Sequence, residues 1–210
     1  MKVVIYYEGP SECNMLKHLL YQSCQPIRVI EDYLDFLTTP NNGNVILLYD
    51  CEGYQNVFPA VAETPHYYSN DEKIIIIRDL ETTKCFTLLR DELFEYCPDL
   101  PKSYTRPIFA KTKLEHLYFA DLNTFKRVFC LMYKAKFGEQ IPDNNRFEEI
   151  ISNLDPIKPG IKGLFKAYNM AFSKPAIADA FFARFDFKNS NHPYFVRLVD
   201  SLKEVIQVIQ

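Results

Sequence analysis

Four short apolar runs mark the first half of the chain: residues 2–7 (KVVIYY), 45–49 (VILLY), 73–78 (KIIIIR) and 104–110 (YTRPIFA). They are rich in β-branched and aromatic residues and alternate little, which predicts strands buried on both faces. Pro107 assigns the fourth to a sheet edge or a strand start. Behind the first run, Met15, Leu16, Leu19 and Leu20 recur at helical spacing, and Ser11 is the expected cap. Helices are also predicted near 55–63 and 84–94. Residues 27–38 (IRVIEDYLDFLT) read as helix from Val29, Tyr33 and Phe36-Leu37, stopped by the turn Pro40-Asn41-Asn42-Gly43.

Strand and helix thus alternate roughly every 30 residues, the pattern of a parallel α/β sheet. Beyond residue 112 the pattern becomes helical, with segments expected at 113–136, 145–153, 163–172, 174–184 and 193–209. The expected organisation is an α/β core over 1–125 and a helical C-terminal extension, 126–210, packed on it.

Three of the apolar runs end in acidic turns. Tyr7 leads into Glu8-Gly9-Pro10-Ser11-Glu12, Tyr49 into Asp50-Cys51-Glu52-Gly53, and Arg78 into Asp79-Leu80-Glu81. In an open parallel sheet, ligands bind beyond the carboxyl ends of the strands. Right-handed crossovers bring all these turns to one edge. Carboxylates delivered there from different strands suit a hard divalent cation such as Mg²⁺ or Mn²⁺, which takes oxygen ligands. Glu8, Asp79 and Glu81 form the leading set, and Asp50 with Glu52 is a rival D-x-E pair. The same acidic residues also suit helix N-termini, where the macrodipole favours them.

Composition narrows the field. The net charge is −3, so no strongly basic surface is implied by the totals. The six cysteines include no C-x-x-C pair and the four histidines fall in unrelated segments. Both facts argue against a zinc site, and the cysteines read as reduced thiols of a cytoplasmic protein. No segment approaches the roughly 20 apolar residues that span a bilayer, and residues 1–12 do not read as a signal peptide. The chain has no G-x-x-x-x-G-K-[ST] phosphate loop, and no Ser or Cys in a nucleophile elbow.

The E-G-x-[ST]-E run at Glu8–Glu12, the glycine turn at Gly53 and the D-x-[DE] at Asp79–Glu81 resemble, in order and spacing, the Toprim domain. The similarity is to its OLD-nuclease branch and small stand-alone relatives of that branch. Lys111-Thr112-Lys113-Leu114-Glu115-His116-Leu117-Tyr118-Phe119-Ala120-Asp121 resembles the helix that follows the core in these proteins, with Leu117 or a neighbour where they carry Trp. The resemblance covers roughly residues 1–125 and implies a Rossmannoid parallel sheet flanked by helices. It implies Mg²⁺- or Mn²⁺-dependent phosphodiester chemistry. Glu8 then serves as metal ligand and acid/base candidate, Glu12, Asp79, Glu81 and Glu115 as further ligands, and Gly53 as the telling residue of the second turn. Glu81 is one methylene longer than the usual Asp. Lys174, just before a late helix, is the candidate cation for developing negative charge. A lysine also stands there in OLD-type nucleases, though a solvent-exposed lysine reads the same.

The expectation is a metal-dependent nuclease acting on DNA or RNA, working with a separate ATPase in a defence or toxin-like system, with a homo-oligomer left open. Two rivals stand beside it: a noncatalytic interaction subunit of an ATPase complex, and a phosphohydrolase of small molecules. Lys111, Lys113, Lys162, Lys166 and Arg197 are candidates to line a nucleic-acid path.

Overall fold

The computed structural model describes residues 2–23, 27–40, 45–64, 72–79, 85–103, 105–110, 117–153 and 160–206. Five strands, β1 (Lys2–Tyr7), β2 (Arg28–Ile30), β3 (Val45–Asp50), β4 (Glu72–Asp79) and β5 (Thr105–Ala110), form one parallel sheet in the order β2-β3-β1-β4-β5. Helices α1 (Pro10–Ser23), α2 (Tyr33–Thr38), α3 (Val57–Glu63) and α4 (Phe86–Tyr96) alternate with the strands. The later helices are α5 (Leu122–Phe137), α6 (Asn144–Ser152), α7 (Gly160–Ala167), α8 (Lys174–Phe182) and α9 (Pro193–Ile206). This is the expected α/β class, and β5 with Pro107 occupies a sheet edge.

Chain direction explains the layering. From β1 the chain moves outward past β3 to β2, then reverses and runs through β3, β4 and β5. Right-handed crossovers put connections of opposite direction on opposite faces. Accordingly α1 packs Met15, Leu16, Leu19 and Leu20 against Val3, Ile5 and Ile75 on one face. Phe36, Phe58 and Leu89, from α2, α3 and α4, cover Val4, Tyr6 and Ile76 on the other. One helix cannot cover a five-stranded sheet. The C-terminal helices complete the α1 face, where Phe125, Phe147, Phe165, Phe181, Phe182 and Phe195 join the same apolar cluster as β1 and α1.

Three sequence expectations need correction. Residues 27–38 hold an edge strand and a short helix, not one helix. Arg28–Ile30 is too short to show a period, and of its three residues Ile30 alone is buried. Asp32 then restarts the chain as α2 by accepting a hydrogen bond from the Asp35 N–H at 2.9 Å. Ser11 does not cap α1. The helix starts at Pro10, whose ring fixes φ in the helical range and which needs no N–H at that position, and Ser11 is buried in its first turn. The long helix expected over 113–136 is interrupted by a 3₁₀ turn at Tyr118–Asp121, and α5 runs on from Leu122. Its cap is Asp121, accepting from the Thr124 N–H at 2.9 Å; residues 111–116 lie outside the described ones.

Candidate active site

The carboxyl end of β1 is the natural place for a site. The chain leaves it for α1 on one face of the sheet, while the helices that follow its neighbours β3 and β4, α3 and α4, lie on the other, the arrangement that marks a switch point. Register fixes what arrives there. Tyr7 is level with Asp50 on one side, and β4 runs alongside on the other with Ile76 opposite Tyr6.

Glu8, half-buried, is the hinge of the arrangement. Its Oε1 accepts a hydrogen bond from the Asp79 backbone N–H at 2.6 Å, and its carbonyl accepts one from the Gly53 N–H at 2.7 Å. The Cys51 N–H donates to the Tyr7 carbonyl at 3.0 Å, carrying the β1–β3 ladder beyond the end of β3. The turn that delivers Gly53 needs left-handed backbone at Glu52 (φ 56°) and an open φ of 131° at Gly53 itself. The second is a conformation that side chains rarely adopt, which is why glycine stands there. Thus Glu8 binds together all three strand-end turns singled out from the sequence.

Glu12 comes from the first turn of α1. A side chain at Gly9 would meet its Oε2 at 3.9 Å, so the space beside Gly9 is bounded by this carboxylate. Asp79 ends β4 and is half-buried. The link among them is a residue the sequence reading passed over. Tyr194, near the start of α9, packs against the aromatic cluster. Its phenol is pushed well above the ordinary value of 10.0, by burial first and then by the carboxylates of Asp79, Glu12 and Glu8. It therefore stays protonated at neutral pH. Nothing local in His192-Pro193-Tyr194-Phe195 announces this role; it follows from how α9 docks.

Asp50 and Glu52 stand differently. Asp50 is exposed, accepts the Glu52 N–H at 2.8 Å, and lines a pocket of about 350 Å³ with Tyr7, Cys13, Asn14, Lys17 and Glu31. Glu52 points to solvent. Lys174 is the first residue of α8. The Asn14 amide donates to the carbonyl of the next residue, Pro175, at 2.9 Å, and His18 Nε2 lies 2.9 Å from Asp179 Oδ1. The start of α8 is thereby pinned to the early turns of α1, the helix that carries Glu12. Lys162, Lys166 and Arg197 are exposed on α7 and α9. Glu81, Glu115, Lys111 and Lys113 lie outside the described residues.

Glu8, Glu12 and Asp79 offer carboxylate oxygens, the donor chemistry that Mg²⁺ or Mn²⁺ takes. Among the described residues, no three His, Cys, Asp or Glu side chains form a ready-made metal cage. Cys51 is no nucleophile at neutral pH, because burial first, and the nearby Asp50 and Glu8 charges after it, push its thiol up to about 12.

The second missed residue is Arg78. Four isoleucines before it mark a strand buried on both faces, and a charged residue closing such a run is the signal. It is 6% exposed, and its guanidinium lies 4.4 Å from the centre of the Phe58 ring and 5.6 Å from that of Tyr54. Its Nε is buried without a hydrogen-bond acceptor. Cation–π contact is worth about 2 kcal/mol when desolvated, less than the several kcal/mol it costs to bury a charge.

Tyr6, Tyr7 and Tyr194 together set a pH limit. Burial, the largest cause at each, holds the phenol above 10.0. Once pH passes that ordinary value, the unfolded chain releases protons that the folded chain keeps, so stability is full below it and falls above it. Thermal melts are expected to hold a level Tm up to about pH 9.5 and to drop beyond, in step with delayed tyrosinate absorbance. Tyrosines that all ionise together near 10 would contradict this.

No protein-family model matches the chain, and a search of curated proteins finds no match. Among solved structures, the chain is similar to the C-terminal region of the Burkholderia pseudomallei OLD protein, with a TM-score of 0.56 and 14% identity over 98% of each chain. It is also similar to the C-terminal region of the Xanthomonas campestris pv. campestris OLD protein, with a TM-score of 0.52 and 12% identity over 99% of this chain and 96% of that one. At this level of identity the likeness is one of fold: the chain has the architecture of the OLD C-terminal region.

Proposed function

We propose that this chain is a Mg²⁺- or Mn²⁺-dependent nuclease that hydrolyses phosphodiester bonds of DNA or RNA. The observation that carries the reading is the Glu8 carboxylate, just past β1, held by the Asp79 N–H at the end of the neighbouring β4, with the Glu12 carboxylate bounding the space beside Gly9. The Toprim-like motifs and the OLD-like fold support it. Glu8, Asp79 and Glu12 are the residues that would hold the cation, with Glu81 and Glu115 added by the resemblance. Bound there, a divalent ion would polarise a phosphoryl oxygen and lower the pKa of its water.

The chain's own groups do the rest. The Asp79 N–H fixes the direction of one Glu8 oxygen, so the carboxylate is oriented before substrate arrives. Lys174, at the start of α8, is the candidate cation for charge that develops on a phosphate oxygen. The protonated Tyr194 adds no negative charge beside the carboxylates. A separate ATPase is the expected partner.

The test is incubation of the chain with DNA and with tRNA, each in Mg²⁺, Mn²⁺ or EDTA, with and without the candidate ATPase. Cleavage in the cations and none in EDTA is the expected result. Intact substrate throughout, with calorimetry showing no bound cation, would overturn it and leave the noncatalytic interaction subunit. A second reading draws on the pocket beside Asp50, whose size suits a small molecule. Hydrolysis of a small phosphate ester with nucleic acid left intact would select that phosphohydrolase.

A further inference from the structure

Arg78 remains without a role in the site just described. Strand alternation turns it to the face opposite Asp79, so it does not neutralise that carboxylate. Phe58 and Tyr54 hold its guanidinium on their rings, and among the described residues no carboxylate or carbonyl pairs with it. Buried polar groups in folded proteins are almost always satisfied, and an orphaned one calls for an explanation such as an ion that belongs there. A guanidinium presents a planar fork of donors matched to two oxygens of a phosphate, and aromatic faces keep that fork in place.

Position adds the second element. Arg78 is next to Asp79, whose N–H touches Glu8, so the cation sits at the same strand end as these carboxylates, on the α3 side of the sheet. A polyanion brought to three acids is repelled unless cations receive its phosphates. Tyr54, 44% exposed, flanks the guanidinium at the edge of the molecule. We propose that Arg78 binds a backbone phosphate flanking the bond to be cut, admitted beside Tyr54. The proposal rests on the nuclease reading and names the contact that positions its substrate.

The experiment uses the whole chain in EDTA, so that binding is read without cleavage. The Arg78 Nε–H, shielded from exchange, is followed by NMR while inorganic phosphate or a short single-stranded oligonucleotide is added. Its resonance is expected to move saturably with both. Arg78→Met is expected to bind the oligonucleotide about tenfold more weakly and to lower the slope of log affinity against log salt by about one, while Arg78→Lys, which keeps the charge but not the planar fork, weakens binding with the slope held. A merely structural arginine leaves that slope unchanged. If Arg78→Met does not fold, Arg78→Lys and the wild-type resonance decide the matter. An unmoved resonance with unchanged affinity and slope overturns the proposal, even if the wild type cleaves nucleic acid with Mg²⁺. A response to phosphate but none to the oligonucleotide overturns the backbone assignment. Movement with both ligands in a chain that never cleaves nucleic acid supports the phosphate site and counts against the nuclease reading alone.

Discussion

Glu8→Gln is expected to leave the fold intact and to cut nuclease activity by at least about 10²-fold. The amide keeps an oxygen that can accept the Asp79 N–H, the bond now 2.6 Å long at Oε1. It loses the charge that a divalent cation requires. Cation affinity and hydrolysis should therefore fall together while the melting temperature holds, since the Asp79 N–H keeps its acceptor. Asp79→Asn should behave alike. Cleavage of DNA or tRNA, metal calorimetry and thermal melts on the same preparations check this. Equal cleavage by the wild type and Glu8→Gln would sink the nuclease reading.

Phe182→Ala is expected to have the largest effect on stability, about 3–5 kcal/mol. Its ring is fully buried, with Tyr118, Phe181, Phe185, Phe187 and Phe195 ring centres 5.0–6.2 Å away. Five aromatic neighbours cannot all collapse into one vacated space, so both burial and packing are lost. Because whole domains are stable by only about 5–15 kcal/mol, much of the margin disappears. Urea unfolding should show a lower midpoint. Tyr21→Ala, at a position 73% exposed, is the control expected to stay within about 0.5 kcal/mol. A loss under about 1 kcal/mol at Phe182 would mean that this cluster is not what holds the helices to the sheet.

The strands of the core were legible because doubly buried strands write themselves as unbroken apolar runs. β2 was not, since three edge residues with one buried side chain carry no periodicity. The strand-end acids were legible as motifs, and the Glu8–Asp79 contact follows from β1 and β4 being neighbours. Which acids share a crevice was not legible. Asp50-Cys51-Glu52 and Asp79-Leu80-Glu81 look alike in sequence, yet Asp50 and Glu52 are exposed while Asp79 is half-buried beside Glu8. Tyr194 was hidden because its place depends on the packing of α9. Arg78 could have been found: a cation closing four isoleucines contradicts its own surroundings.

The position of β1 also bears on how the chain finds its structure. Its two sheet partners begin at Val45 and Glu72, so both pairings of Lys2 reach far along the chain. Such non-local closures are slow to form. Until they do, Val3–Tyr7 is an unpaired apolar segment open to wrong partners. The carboxylates at its end are kept apart for the same interval. The crevice is therefore a late product of folding, and refolding assays should recover secondary structure before they recover whatever binds at Glu8.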